Sequence, residues 1–371
     1  MNLRQHTRAI LHDEAYDYFP VVHFGYWDDT VRKWQAEGHL PADLADPAGG
    51  RSAEQIVSQT LGFDFGWGDC AGGITGLLPP IETRVIETLP NGQIKSVDEN
   101  GAIILTKPGI TSIPSEVGHL LTDRASWEEH FLPRLQFSSA RIPRPDLDRL
   151  RSTDDRATPL GINCGSLFGT IRNWLGLEGS AYLLIDDEPL FTEIIDTHAA
   201  LQLQVLQSCL EQGARPDYAH FWEDICCKSG PLIHPDVFEE KVGPWYEKFT
   251  RLLLTYDIDI VSLDCDGVID RLIPTWFSHG VNTMFPIEVG VWNASITPWR
   301  ARYGPELRGV GGMNKNVFAL DYAAIDQEIE RLRRLTDAGG FIPCPDHRIP
   351  PTARWENVQY YCDRLRRELN R

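Results

Sequence analysis

No run of 18 consecutive apolar residues occurs in this 371-residue chain, and its start is not a basic segment followed by an apolar one. Neither a spanning helix nor a secretion signal is legible, so the expectation is a cytoplasmic protein with no membrane association. Cysteine pairs at C-x-x-C spacing are missing too. The eight cysteines (70, 164, 209, 226, 227, 265, 344 and 362) are scattered, which fits reduced thiols better than a disulfide framework. Basic residues are scarce: 35 Lys and Arg stand against 53 Asp and Glu, for a formal net charge of −18. Phosphate binding needs clustered cations, so no nucleic-acid partner is expected. A G-x-G-x-x-G turn is absent, which argues against an open dinucleotide-binding sheet. No repeat of fixed period and no low-complexity tract is found either.

What is present is an ordinary globular composition, with 42% hydrophobic residues, enough for one large α/β barrel or two domains. The chain is organised around Asp257 to Gly290. There the β-branched run Ile258 to Leu263 stops at Asp264-Cys265-Asp266-Gly267. An amphipathic segment (Val268, Ile269, Leu272, Ile273, Trp276, Phe277) follows and ends at Gly280, and a second run, Val281 to Ile287, stops at Glu288. Strand, helix, strand at this length is a βαβ unit, whose ligands gather at the carboxyl ends of its parallel strands. Asp264, Asp266 and Glu288 are therefore expected to converge. Either Asp could equally be a helix N-cap, but Glu288 caps nothing evident in the sequence. Pro286 cannot donate to a ladder and is tolerated near a strand end.

Similar apolar runs occur at Tyr18 to Trp27, Pro159 to Cys164, Tyr218 to Trp222, Leu307 to Val310 and Gly340 to Cys344, with an ambiguous one near Phe63. Helical patterns lie between them at Thr30 to Gly38, Asp123 to Leu132, Glu188 to Gln212 and Phe238 to Tyr256. A loop containing DLADPAGG and a surface connection at Arg141 to Ser152 complete the pattern. Eight parallel strands would close a single (β/α)8 TIM-type barrel spanning residues 1–371. Residues 84–107 differ: short β-rich runs with turns at Asn91-Gly92 and Asn100-Gly101 read as a small antiparallel β insertion, a meander within the barrel.

In such a barrel the residues just past each strand share one mouth. Candidate catalytic residues are Asp264, Glu288, Lys315 and His347. Asp266, Glu288, Cys344 and His347 supply the ligand types of a zinc site from three strands. Trp27, Glu223 and Asp224 are candidates for substrate binding. Each has a plainer alternative: His347 a solvated loop residue, Cys344 a small buried one, Lys315 a surface lysine, Trp27 core, and Glu223-Asp224 an acidic pair at a helix start.

Several segments together (FPVVHFGYW with RKWQAEG, FWEDICCKSGPLIHP, SLDCDG, FPIEVG, GVGGMNKN, and GGFIPCPDHRIPP with ENVQYYCDRLRREL) resemble the uroporphyrinogen decarboxylase superfamily over nearly the whole chain. Within it the likeness is to corrinoid-dependent methyltransferases. True decarboxylases carry Arg-Gln-Ala-Gly-Arg near the start to hold carboxylates, where this chain has HFGYWDD. The branch serving coenzyme M uses His-x-Cys-Gly and a later Cys for zinc. Here Asp264 and Asp266 stand where that His and Cys would be, and Cys344 lies near the later Cys, so softer ligands give way to carboxylates. The resemblance implies a methyltransferase that moves a methyl group from a small methylated donor, such as a methoxylated aromatic, to the Co(I) of a separate corrinoid protein. A corrinoid motif, Asp-x-His-x-x-Gly, is absent: Asp196-Thr197-His198 is followed by Ala-Ala-Leu. Cobalamin would thus sit on a partner, with zinc the candidate metal here. The alternatives are a decarboxylase and a member that only binds a small ligand.

Overall fold

The structure, a computed structural model, describes residues 1–44, 52–107, 114–152 and 156–370. The DLADPAGG loop lies, from position 45, outside these residues. Fifteen strands are present among them: β1 Val22–His23, β2 Phe65–Gly66, β3 Cys70–Ala71, β4 Arg84–Thr88, β5 Ile94–Val97, β6 Ala102–Thr106, β7 Ser115–His119, β8 Gly161–Gly165, β9 Tyr218–Trp222, β10 Cys226–Cys227, β11 Gly230–Pro231, β12 Val261–Asp264, β13 Thr283–Phe285, β14 Arg308–Met313 and β15 Phe341–Pro345. Seven form a central parallel sheet in the order β15-β14-β13-β12-β9-β8-β3. Helices connect its neighbouring strands, as parallel pairing requires.

Side chains alternate across this sheet. Ala219, Phe221, Val261 and Leu263 pack into the large core shared with the helices. Tyr218 and Ile260 turn the other way, into a second cluster with Phe65, Trp67, Phe285, Val310, Ile342 and Cys344. Residues from strands on both flanks of the sheet thus meet on its inner face, as period-two alternation buried on both sides requires. The indole N–H of Trp67, just past β2, crosses this interior to donate to Ser262 Oγ of β12 at 3.0 Å.

β1 pairs in parallel with β2 rather than joining the central sheet. Its continuation meets the far end of that sheet: Ile349 donates its amide to the Gly25 carbonyl at 2.9 Å, and Tyr26 bridges Ile349. The antiparallel insertion has four strands, β4-β5-β6-β7, and so runs past 107 to His119. The stretch from Arg141 is more than a connection. Arg144–Arg151 is a helix burying Leu147 and Leu150. Arg141 itself is fully buried, with its guanidinium donating to the carbonyls of Gln136, Ile74, Gly76 and Arg134. No helix among the described residues is long and apolar enough to cross a membrane.

Candidate functional site

β9, β12 and β13 end side by side, Asp264 pairing with Trp222 and with Phe285. Parallel alignment places the next residues of each strand at one end: Asp224 after β9, Asp264 and Asp266 at the end of β12, and Glu288 after β13. Their charges act on one another. Burial, then Asp266, Asp224 and Glu288, push the Asp264 carboxyl well above the ordinary aspartate range, with the Arg348 guanidinium opposing. Burial and Asp266 likewise raise Glu288. Desolvation disfavours the charged form, and like charges add to it.

Gly267 fixes part of this geometry. Its φ of +90° is a left-handed conformation, and a Cβ there would lie 2.6 Å from the Cys226 carbonyl carbon, so only glycine fits. The turn aims its N–H at Glu288 Oε2, 2.8 Å away. The same oxygen accepts from the Trp292 indole. Glu288 stands at the N-cap position of the short helix Val289–Trp292 without a side-chain cap bond. Its carboxylate is held at the strand ends, between β12 and β13.

His347 and Trp27 form one wall. The two rings stack at 5.5 Å and 20°, while Phe24 lies 5.3 Å from His347 and 4.4 Å from Phe285. His347 Nε2 is 3.2 Å from Asp266 Oδ2, and Asp266 Oδ1 is buried without a hydrogen-bond partner. Trp27 is 40% exposed, so it is neither core nor free surface. Asp224, in a left-handed conformation, points partly to solvent with Arg172 3.4 Å away.

Three expected site residues do other work. Glu223 is fully buried, and its oxygens are saturated. They accept from Ser166 Oγ, from the backbone amides of Leu167, Phe168 and Gly169, and from the Tyr246 hydroxyl. It binds the loop after β8 and the start of helix Gly169–Asp186 to β9, and presents nothing to a substrate. Lys315 Nζ pairs with buried Asp346 at 3.3 Å. Asp346 also accepts from the amides of Val289, Gly290 and Lys315. The lysine therefore belongs to a clamp joining the ends of β13, β14 and β15. Cys344 is fully buried in the inner cluster with Phe285, Val310 and Ile342, which pushes its thiol well up.

The metal set Asp266, Glu288, Cys344 and His347 consequently does not assemble. Among the described residues, no group of three or more His, Cys, Asp or Glu side chains is placed to hold a metal ion. The reason is burial: Cys344 lies within β15, sealed among Phe285, Val310 and Ile342, while Glu288 is occupied by Gly267 and Trp292. The donor set present does not fit zinc. Arg348, missed from sequence, supplies the cation that opposes the charge of Asp264, and also faces Glu54. It directly follows His347, where strand-end position alone could have flagged it.

No protein-family model matches the chain, and no curated protein does. Among solved structures, a methyltransferase from Methanosarcina mazei shares its fold, with a TM-score of 0.62, 14% identity and 100% of both chains covered. A B12-independent methionine synthase from Shewanella sp. W3-18-1, in complex with selenomethionine, matches at a TM-score of 0.47 and 11% identity over 95% of this chain and 99% of the other.

Proposed function

We propose that the chain is a (β/α)8 barrel methyltransferase that takes a methyl group from a small methylated oxygen donor and passes it to the Co(I) corrinoid of a separate protein. Supporting closure are the Gly25–Ile349 and Tyr26–Ile349 contacts, the Trp67–Ser262 bond across the interior and the inner cluster fed by strands on both flanks. The observation that carries the chemistry is the raised Asp264 carboxyl at the strand ends, facing Asp266, Asp224 and Glu288 beside aromatic walls.

Ether cleavage leaves an electron pair on a poor leaving oxygen. The O–CH3 bond breaks, the pair stays on oxygen, and the methyl group joins the cobalt acceptor, whose own pair forms the new bond. A proton must reach the departing oxygen, or its charge must be stabilised. Asp264, whose carboxyl is pushed well above the ordinary aspartate range by burial and neighbouring carboxylates, supplies that proton. Glu288 holds the Gly267 turn, and with it Asp266, in place. His347 and Trp27 give a planar face against which an aromatic ring stacks. A carboxylate-rich substrate fits badly among Asp224, Asp264, Asp266 and Glu288, since Arg348 is already opposed by Asp264 and Glu54, and this disfavours the decarboxylase alternative.

The test is an assay of the purified chain with methoxylated phenols and a Co(I) corrinoid protein, following the cobalt spectrum. Conversion to methylcobalt together with release of the demethylated phenol is expected. Absence of transfer from every methoxy compound tried would overturn the proposal.

A further inference from the structure

The inner face carries one polar chain unused by this reading. Ser262 lies opposite His220 in the β12–β9 register. Trp67 Nε1 donates to Ser262 Oγ at 3.0 Å, and that oxygen lies 3.2 Å from His220 Nδ1. An indole N–H can only donate, so Ser262 Oγ accepts there, and its own hydrogen has one acceptor in reach, His220 Nδ1. Burial lowers His220 to about 4, so the ring is neutral near pH 7 and carries a single N–H. With Nδ1 accepting, that hydrogen is on Nε2.

Nε2 makes no hydrogen bond within the described residues, and with 9% of the residue exposed it is not among the polar atoms sealed without a partner. It shares the inner row with Trp222, two residues on, which pairs with Asp264. Its ring lies 5.9 Å from Phe285, which in turn contacts Phe24 of the mouth wall. A donor left open in this way is free to meet an acceptor oxygen of a ligand.

We propose that His220 presents its Nε2–H to an acceptor oxygen of the bound methyl donor, at the floor of the mouth beneath Asp264, with Ser262 and Trp67 as positioning residues that fix its tautomer. This rests on the methyl-donor reading and narrows it to donors bearing a second oxygen, such as 2-methoxyphenol.

The experiment uses the full chain carrying 15N-histidine, with His220 assigned by the signal lost in His220→Gln. Long-range 1H–15N spectra are expected to show the Nε2–H tautomer, and 2-methoxyphenol is expected to shift its resonance. Calorimetry with the same probe should show binding weakened about tenfold in His220→Leu, the scale of one hydrogen bond. His220→Gln, which keeps a donor, should restore most of it. An Nδ1–H tautomer, an unmoved resonance at saturation, or unchanged binding by His220→Leu would overturn the proposal while leaving methyl transfer standing. No binding heat with the wild-type chain would instead overturn the methoxyphenol donor class, and this proposal with it.

Discussion

Single carboxyl groups that look alike in the sequence have different fates in the fold. Glu223 and Glu288 both follow a strand, yet Glu223 meets five donors and no solvent, while Glu288 meets two and stands among the acids at the strand ends. Glu223→Ala should therefore destabilise the chain by about 3 kcal/mol or more, since three buried amides lose their acceptor; urea denaturation measures it. Glu288→Gln should fold but lose about 100-fold in methyl transfer, the usual scale for one misplaced polar group at a reacting centre. Steady-state rates alongside a melting curve separate the two effects. Asp264 gives a signed prediction. Its carboxyl is held well above the ordinary range in the folded chain, so it favours folding while protonated, below the unfolded value near 4. That contribution is lost as pH rises through the raised value. Asp264→Asn should raise Tm by about 2 °C at pH 8, with the gain shrinking towards pH 4. A gain that grew on acidification would contradict the assignment.

Among elements, long apolar runs were legible and very short strands were not. Runs ending at Cys164, Trp222, Leu263, Ile287, Val310 and Cys344 correspond to β8, β9, β12, β13, β14 and β15, because strands buried on both faces are written as continuous hydrophobic stretches. β3 spans only Cys70–Ala71, too short to leave a pattern, and it joins the sheet through pairing with β8. Arg348 went unseen for another reason: its effect depends on Asp264, 84 positions earlier in the chain, and sequence distance hides such pairs. The insertion β4 to β7 stands apart, every residue of β4 being exposed. Hydrogen exchange should show β4 amides exchanging at least about 100-fold faster than those of β9 and β12. Equal protection would mean that the insertion opens only with the sheet.

At the scale of the molecule, a charge of −18 and the acidic residues at the strand ends act in the same direction, repelling polyanions. The expected metal site shows where sequence reasoning ran out. Residue types placed Cys344 among the ligands, but Phe285, Val310 and Ile342 seal it off, and no count of strands would reveal that. The central claim is that Asp264 delivers a proton to the departing oxygen, and the pH dependence of methyl transfer from 2-methoxyphenol to a Co(I) corrinoid protein tests it most directly. The wild-type rate should fall as pH rises through the raised value of Asp264, and Asp264→Asn should be slower by about 100-fold or more with that limb gone. A variant that kept the wild-type rate and pH profile would contradict the account.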